Sequence, residues 1–247
     1  MSRLPWLDPY DDTQPFPDPE NALEEPDGLL AAGGSLSSRR LLRAYRSGIF
    51  PWYSAGQPIL WWSPDPRTVL FTNRIKISRS LRKTINKGLF AVTLNQAFAS
   101  VLQHCSEPRA NQPPGTWITP AIGASYYRLH KLGYAHSVET WYEGELVGGL
   151  YGVAIGRVFY GESMFSRRSD ASKVALVSLC QQLRRWQFPF IDCQMHTDHL
   201  LSLGAEDIPR SLFLELLRRF CALPGPRGGW HFDADLPTVA EDYERTP

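Results

Sequence analysis

The chain's 247 residues, 43% hydrophobic and 21% charged, suffice for one large domain or two small ones with a substantial core. A net charge of +1 excludes a uniformly basic binding protein. The start Met1-Ser2-Arg3-Leu4-Pro5 lacks an apolar secretory core, and the longest uncharged, largely apolar run, 146–156, is short of the roughly 18 residues a membrane span needs. A cytoplasmic protein off the membrane is therefore expected, and four cysteines without a CxxC pair suit reduced thiols there.

Residues 1–28, rich in Pro and Asp, show no sustained period and read as an extended arm. The segment GSLSSRRLLRAYRSG predicts a short amphipathic helix with a Ser cap, an apolar side of Leu41, Leu42 and Tyr45, and a stop at Gly48. Pro51, Pro58, Pro64 and Pro66 then forbid a regular helix through the aromatic stretch IFPWYSAGQPILWWSPDPR. Between Arg67 and Gly88 the chain carries many Lys and Arg and no acid, and Arg39, Arg40 and Arg43 add to this basic half. Acids gather instead in DPENALEEPDG and EDYE, so a phosphate-bearing partner on the N-terminal side competes with a merely solvated face.

A helix is predicted from Asn95 to Cys105, then a Pro-rich loop, SEPRANQPPG. Thr119-Pro120 is a strong helix start, with Ile122, Tyr126 and Leu129 at helical spacing and Gly133 as the end. From Ala135 the period becomes two, and AHSVETWYEGELVGGLYGVAIGRVFYGESMFS reads as three antiparallel strands with turns at Gly144 and Gly156. Ser169 or Asp170 caps the helix ASKVALVSLCQQLRRW, FPFIDCQM is a further strand, and IPRSLFLELLRRF a last helix. This β-β-β-α-β-α order predicts an α+β fold with an acetyltransferase-like second domain over 71–247, after a small α/β domain over 1–70.

The stretch FIDCQMHTDH gathers five potential metal ligands, but His196 and His199 have no second element of matching spacing, so no metal is expected. Read as a strand, it sends Ile191, Cys193 and Met195 one way and Asp192 and Gln194 together the other way. The same alternation puts Tyr160, Glu162 and Met164 on one face. The loop SRRSDASK has no glycine to cradle a coenzyme A pyrophosphate, and no Walker A sequence is present. Trp52, Trp61 and Trp62, in a stiff segment near basic residues, and Trp117, ahead of a helix, could stack a nucleobase or simply fill a seam.

The motifs GLLAAGGSLS, GIFPWYSAGQPILWWSPDPR, GTWIT, ELVGGLYGVAIGRVFYGESMFS, ASKVAL and FIDCQM, in order over about residues 14 to 220, closely resemble the bacterial leucyl/phenylalanyl-tRNA–protein transferases. The resemblance implies an acyltransferase with no cofactor that moves Leu or Phe, with Met as a third donor, from aminoacyl-tRNA to the α-amino group of proteins with N-terminal Arg or Lys. Such proteins are thereby marked for the N-degron pathway. It further implies Trp52 and Trp117 as platforms for the tRNA's terminal adenosine, and Leu150, Phe159, Met164 and Ile191 as the side-chain pocket. Glu162, Asp192 and Gln194 become the catalytic set: Asp192 orients Gln194, whose amide oxygen accepts from the attacking amine, and Glu162 pairs with the acceptor's cation. Arg39, Arg40, Arg43, Arg79, Arg82 and Lys83 become the tRNA backbone contacts of a monomer. Departures are small: Ser35 stands where Asp is common, the loop before GTWIT is longer, and Leu150 replaces a frequent Met. Two rival classes are a coenzyme A-dependent N-acetyltransferase and a non-catalytic tRNA-binding module.

Overall fold

The computed structural model describes residues 4–108, 116–226 and 230–236; most of the Pro-rich loop and the acidic EDYE segment lie outside them. The chain opens with β1 (Trp6–Leu7), β2 (Leu29–Gly33), α1 (Ser38–Arg46), β3 (Phe50–Pro51) and β4 (Leu60–Trp62). These strands form a small sheet in the order β1-β2-β4-β3. Helix α1 begins where expected, because the Ser37 side chain accepts the Arg40 N–H, and it ends before Gly48 at a φ of +76°.

The N-terminal arm is tied down by Arg40 rather than lying loose. Its guanidinium is fully buried, donates from Nη1 to Gln14 O at 2.7 Å and from Nη2 to Asp11 O, and lies 5.3 Å over the Phe16 ring. Arg43 Nη1 likewise donates to Thr13 O and Gln14 O, at 2.7 and 3.2 Å. The expectation that both arginines face a polyanion is corrected here for Arg40, which has no exposed surface, and weakened for Arg43. Carbonyls of a chain segment with few ladder partners need donors, and a buried guanidinium supplies several.

There follow β5 (Arg67–Phe71), α2 (Arg79–Asn86), β6 (Ala91–Leu94), α3 (Phe98–Ser106), α4 (Pro120–Lys131), β7 (Ala135–Tyr142), β8 (Glu145–Ile155) and β9 (Val158–Ser166). The rest is α5 (Ala171–Arg185), β10 (Phe190–Gln194), α6 (Asp198–Ser202), β11 (Glu206–Ile208) and α7 (Arg210–Phe220). A seven-stranded sheet runs β11-β5-β10-β9-β8-β7-β6, and only β9 and β10 pair in parallel. The expected mixed, largely antiparallel sheet is thus present. Because β5 lies inside it, the second part starts at Arg67, a few residues earlier than the expected boundary after residue 70.

Glu143 and Gly144, with φ of 51° and 82°, make the two-residue turn that pairs Tyr142 with Glu145. Thr119 caps α4 as read from sequence, accepting the Ile122 N–H. Asp170 precedes α5 but has a φ of +65° and makes no capping bond; its carboxylate takes Lys173 Nζ at 3.0 Å instead. Helix α3 starts at Phe98, not Asn95, which adopts a φ of +60°.

The large sheet has two apolar faces. Leu81, Val174, Leu179 and Leu183 of α2 and α5 cover one face, with Leu150, Phe159 and Ile191 beneath them. Tyr45, Val101, Ile122, Tyr126 and Phe213 cover the other, in one cluster with Leu30 and Trp61 of the first part. The two parts therefore share a core. Trp61, wholly buried, places its Nε1–H on Gly33 O at 2.9 Å, so its polar edge is satisfied.

One local break shapes the centre of the sheet. β10 pairs with β9 only through Ile191–Phe159 and Asp192–Tyr160. Past that point β10 bulges against β5 at Cys193, between the pairs Asp192–Val69 and Gln194–Thr68, with Gln194 at a φ of +60°, and β9 bulges where Tyr151 and Gly152 face Ser163 and Gly161. The β9–β10 ladder breaks there, and the second half of β9 and the end of β10 are not paired with each other. The bulge also corrects the expected alternation: Tyr160 packs with the α1/α4 face and Met164 with the α5 face.

Arg40→Ala is expected to lower the stability to urea by about 2–3 kcal/mol, the worth of charged hydrogen bonds to buried groups, and Arg39→Ala to leave it unchanged. Equal midpoints for the two variants would contradict the anchoring of the arm.

Candidate active site

Two carboxylates flank this break, Asp192 on β10 and Glu162 on β9, in opposite environments. Asp192, fully buried, receives Arg67 in a bidentate pair, Nε to Oδ1 and Nη2 to Oδ2, each at 2.8 Å. The Arg67 guanidinium lies between two rings, 4.7 Å from Phe50 and 4.6 Å from Phe213. Asp192 Oδ1 also accepts the backbone N–H of Gln194 at 3.0 Å. The expectation that Asp192 orients Gln194 through its side chain is revised: it holds Gln194 by the main chain, in a left-handed conformation a non-glycine residue seldom adopts. Gln194 Nε2 is buried and makes no hydrogen bond to any described residue.

Glu162 has hydroxyls for neighbours. Tyr45 Oη of α1 lies 2.7 Å from Glu162 Oε1, Tyr126 Oη of α4 lies 2.6 Å from Oε2, and the two hydroxyls are 2.6 Å apart. Three contacts require three hydrogens, and two tyrosines bring only two. With Glu162 ionised both hydroxyls donate to it and the Tyr–Tyr contact holds no hydrogen; a carboxyl proton completes the ring. Burial raises the Glu162 pKa to about 7, against the opposing pull of the Tyr126 and Tyr45 hydroxyls and with some further rise from Asp192. Burial also lifts both tyrosines well above 10, with the Glu162 charge adding to it, so both stay hydroxyls. The Glu162 side chain is only partly covered.

The four expected pocket residues come together. Leu150, Phe159 and Ile191 are buried in the α5-side cluster and Met164 packs against it; Leu150 faces Met164 and Phe159 faces Ile191 across the ladders. The broken ladder thus turns a polar set to one face and an apolar set to the other. Burial pushes the Cys193 and Cys180 thiols far up, which removes them as nucleophiles. His196 Nδ1 lies 2.7 Å from Asp207 Oδ2, and no group of three potential ligands suited to a metal occurs among the described residues.

The sequence profile of the leucyl/phenylalanyl-tRNA protein transferase family matches residues 69–218, and that of the family's N-terminal domain matches 34–65. A leucyl/phenylalanyl-tRNA–protein transferase of Nitrosomonas europaea is 58% identical over 94% of this chain and 98% of its own. The chain belongs to this family. A relative of the same name from Aromatoleum aromaticum is 60% identical over 92% of this chain and 94% of its own. Among solved structures, a GCN5-related N-acetyltransferase from Kribbella flavida aligns at 12% identity over 66% of this chain and 58% of that one, with a TM-score of 0.35.

In this member of the transferase family, Trp52 is 39% exposed and meets Trp62 edge to face, centroids 5.6 Å apart, while Trp62 Nε1 donates to Trp52 O. Trp117 is half-buried against the core. Arg39, Arg79 and Lys83 are exposed; Arg79, Arg82 and Lys83 line a shallow depression on α2 with Lys87. Sequence reading missed Arg67, Tyr45 and Tyr126 as parts of the site. Helical spacing put both tyrosines in the core, where their rings are, but their hydroxyls meet a residue 117 and 36 positions away.

The Glu162 value lies above the ordinary 4.5, so the stability this group contributes is intact below about 4.5 and lost as pH rises through about 7. Glu162→Gln is expected to remove that fall between pH 4.5 and 7. Tyr126→Phe deletes a hydrogen bond that holds the value down, so carboxyl NMR should show the midpoint moving up from about 7. An unmoved or lowered midpoint would contradict the reading of the hydroxyl ring.

Proposed function

We propose that this chain transfers Leu or Phe from aminoacyl-tRNA to the α-amino group of proteins with N-terminal Arg or Lys, marking them for N-degron degradation. The observation that carries it is the break in the ladder between β9 and β10, in a chain of this family, with the Glu162 carboxyl on one face for a cation and an apolar cluster on the other for a side chain. The aminoacyl ester is already activated, so the step needs no nucleotide. The acceptor's α-amine, with a pKa near 8, is partly neutral at pH 7 and attacks the ester carbonyl; the C–N bond forms, and the C–O bond to the tRNA ribose breaks.

Positioning supplies much of the rate in such a reaction, up to about 7–11 kcal/mol. Asp192, committed to Arg67 and to the Gln194 N–H, acts as a positioning residue and not as the base. The Gln194 amide, with its Nε2 unpaired, orients the reacting groups, and the ribose 2′-hydroxyl relays the amine proton to the leaving oxygen. Glu162 receives the acceptor's guanidinium or ammonium. A cation beside a carboxyl near pKa 7 drives off its proton, so acceptor binding tightens as pH rises through that range.

Leu150, Phe159, Met164 and Ile191 hold the transferred side chain, and Trp52 and Trp117 stack the terminal adenosine. Arg39, Arg79, Arg82 and Lys83 form the phosphate-facing surface of a monomeric enzyme; Arg40 is left out of it, and Arg43, bonded to the arm's carbonyls, contributes little. A coenzyme A-dependent acetyltransferase would need a phosphate cradle at the start of α5, where SRRSDASK offers no glycine.

The deciding test gives the protein Leu-charged tRNA and a peptide with N-terminal Arg, and reads mass. One added leucine is expected, with acetyl-CoA inert in place of the tRNA; bound tRNA without transfer would favour a binding module. In the same assay Glu162→Gln should raise the KM for the peptide about tenfold and remove the inflection near pH 7, leaving that of the acceptor α-amine near 8. Charge reversal at Arg82 and Lys83 should weaken tRNA binding and flatten its salt dependence.

A further inference from the structure

Residues 230–236 return to the α5 side of the sheet, beyond the region that the family profile matches. Trp230 is wrapped by rings: His136 stacks on it at 3.7 Å and 8°, Trp186 and Phe188 meet it edge to face at 5.0 and 5.9 Å, and Phe159 lies 5.9 Å away at 36°. Asn95 Nδ2 donates to Trp230 O at 3.4 Å. Behind it the segment is pinned to α5: Asp233 N–H donates to the buried Gln182 Oε1 at 2.8 Å, and Arg185 grips Asp235 with Nη1 and Nη2 at 2.7 and 2.9 Å, and Asp233 at 3.1 Å. Burial lowers the His136 pKa to about 3, so the stacked imidazole is a neutral plane.

We infer that Trp230 sets the depth of the side-chain pocket and thereby the preference between Leu and Phe. The inference rests on the reading that Leu150, Phe159, Met164 and Ile191 hold the transferred side chain. Phe159 is then the wall of the pocket, and Trp230 is the ring that backs it. Close-packed interiors transmit a lost volume to the next layer. Without the indole, Phe159 can retreat, the pocket deepens, the longer aromatic side chain gains contact, and the shorter Leu loses closure. The rings that meet Trp230 are His136, Phe159, Trp186 and Phe188, so it acts on specificity through Phe159 and not on chemistry.

The test is a competition between Leu-tRNA and Phe-tRNA for one peptide with N-terminal Arg, using the full chain. Trp230→Ala is expected to shift the ratio of kcat/KM about tenfold toward Phe, the scale at which one or two buried carbons discriminate. Trp230→Phe, which restores a ring against Phe159, should keep the ratio within about twofold of the unaltered protein. Arg185→Gln, an exposed change that releases the segment without altering the core, should shift the ratio in the same direction by less, and it serves if Trp230→Ala does not fold. Equal losses for both donors, or unchanged ratios in Trp230→Ala and Arg185→Gln, would overturn the inference while leaving the transfer reading standing. Absence of any transfer by the unaltered protein would overturn that reading, and this inference with it.

Discussion

The bidentate pair between Arg67 and Asp192 is the constraint around which the site is arranged. Burying both charges costs several kcal/mol each, and close bidentate geometry offsets much of that. Here Asp192 takes two guanidinium donors and one main-chain N–H, and the arginine lies between Phe50 of the first part and Phe213 of α7. One side chain thus fixes the end of β10, the start of β5 and the seam between the two parts. Remove Asp192, and Gln194 also loses the acceptor that holds its backbone at a positive φ beside the bulge at the end of β10.

Glu162 gets its character from the opposite choice of neighbours. A carboxyl that meets tyrosine hydroxyls and no guanidinium can retain its proton near neutrality. On the reading proposed above, such a group is a receptor whose charge appears when the cationic N-terminal residue does. A permanently ionised carboxylate in the same place would hold neighbouring cations or water at all times. On that reading, recognition of the acceptor is tied to a proton release at Glu162, away from the positioning pair.

Much of this was legible in the sequence and some of it was not, for physical reasons. Ser37, Thr119-Pro120 and the Glu143-Gly144 turn announced themselves because their signals are local. β5 was missed because Arg67–Leu70 is buried on both faces and shows no alternation, and its basic start reads as solvated surface. Asp192 and Gln194 were recognised as a pair, but strand alternation could not foresee a left-handed Gln194 or a bulge at Glu162, which depend on neighbouring strands. Arg40 was counted with the surface cations; only the folded arm, whose carbonyls it satisfies, shows that it faces inward. Charge composition records which side chains are basic and says nothing of which ones the fold uses internally.

The claim that Arg67 and Asp192 act as one unit is most directly tested by a double-mutant cycle in urea, with Arg67→Met, Asp192→Leu and the two combined. Each single change strands a buried charge and should destabilise by about 3–5 kcal/mol. The double variant should recover at least about 2 kcal/mol of their sum, because no charge is left unpaired. Losses that add to within about 0.5 kcal/mol would contradict the pair as the frame of the site.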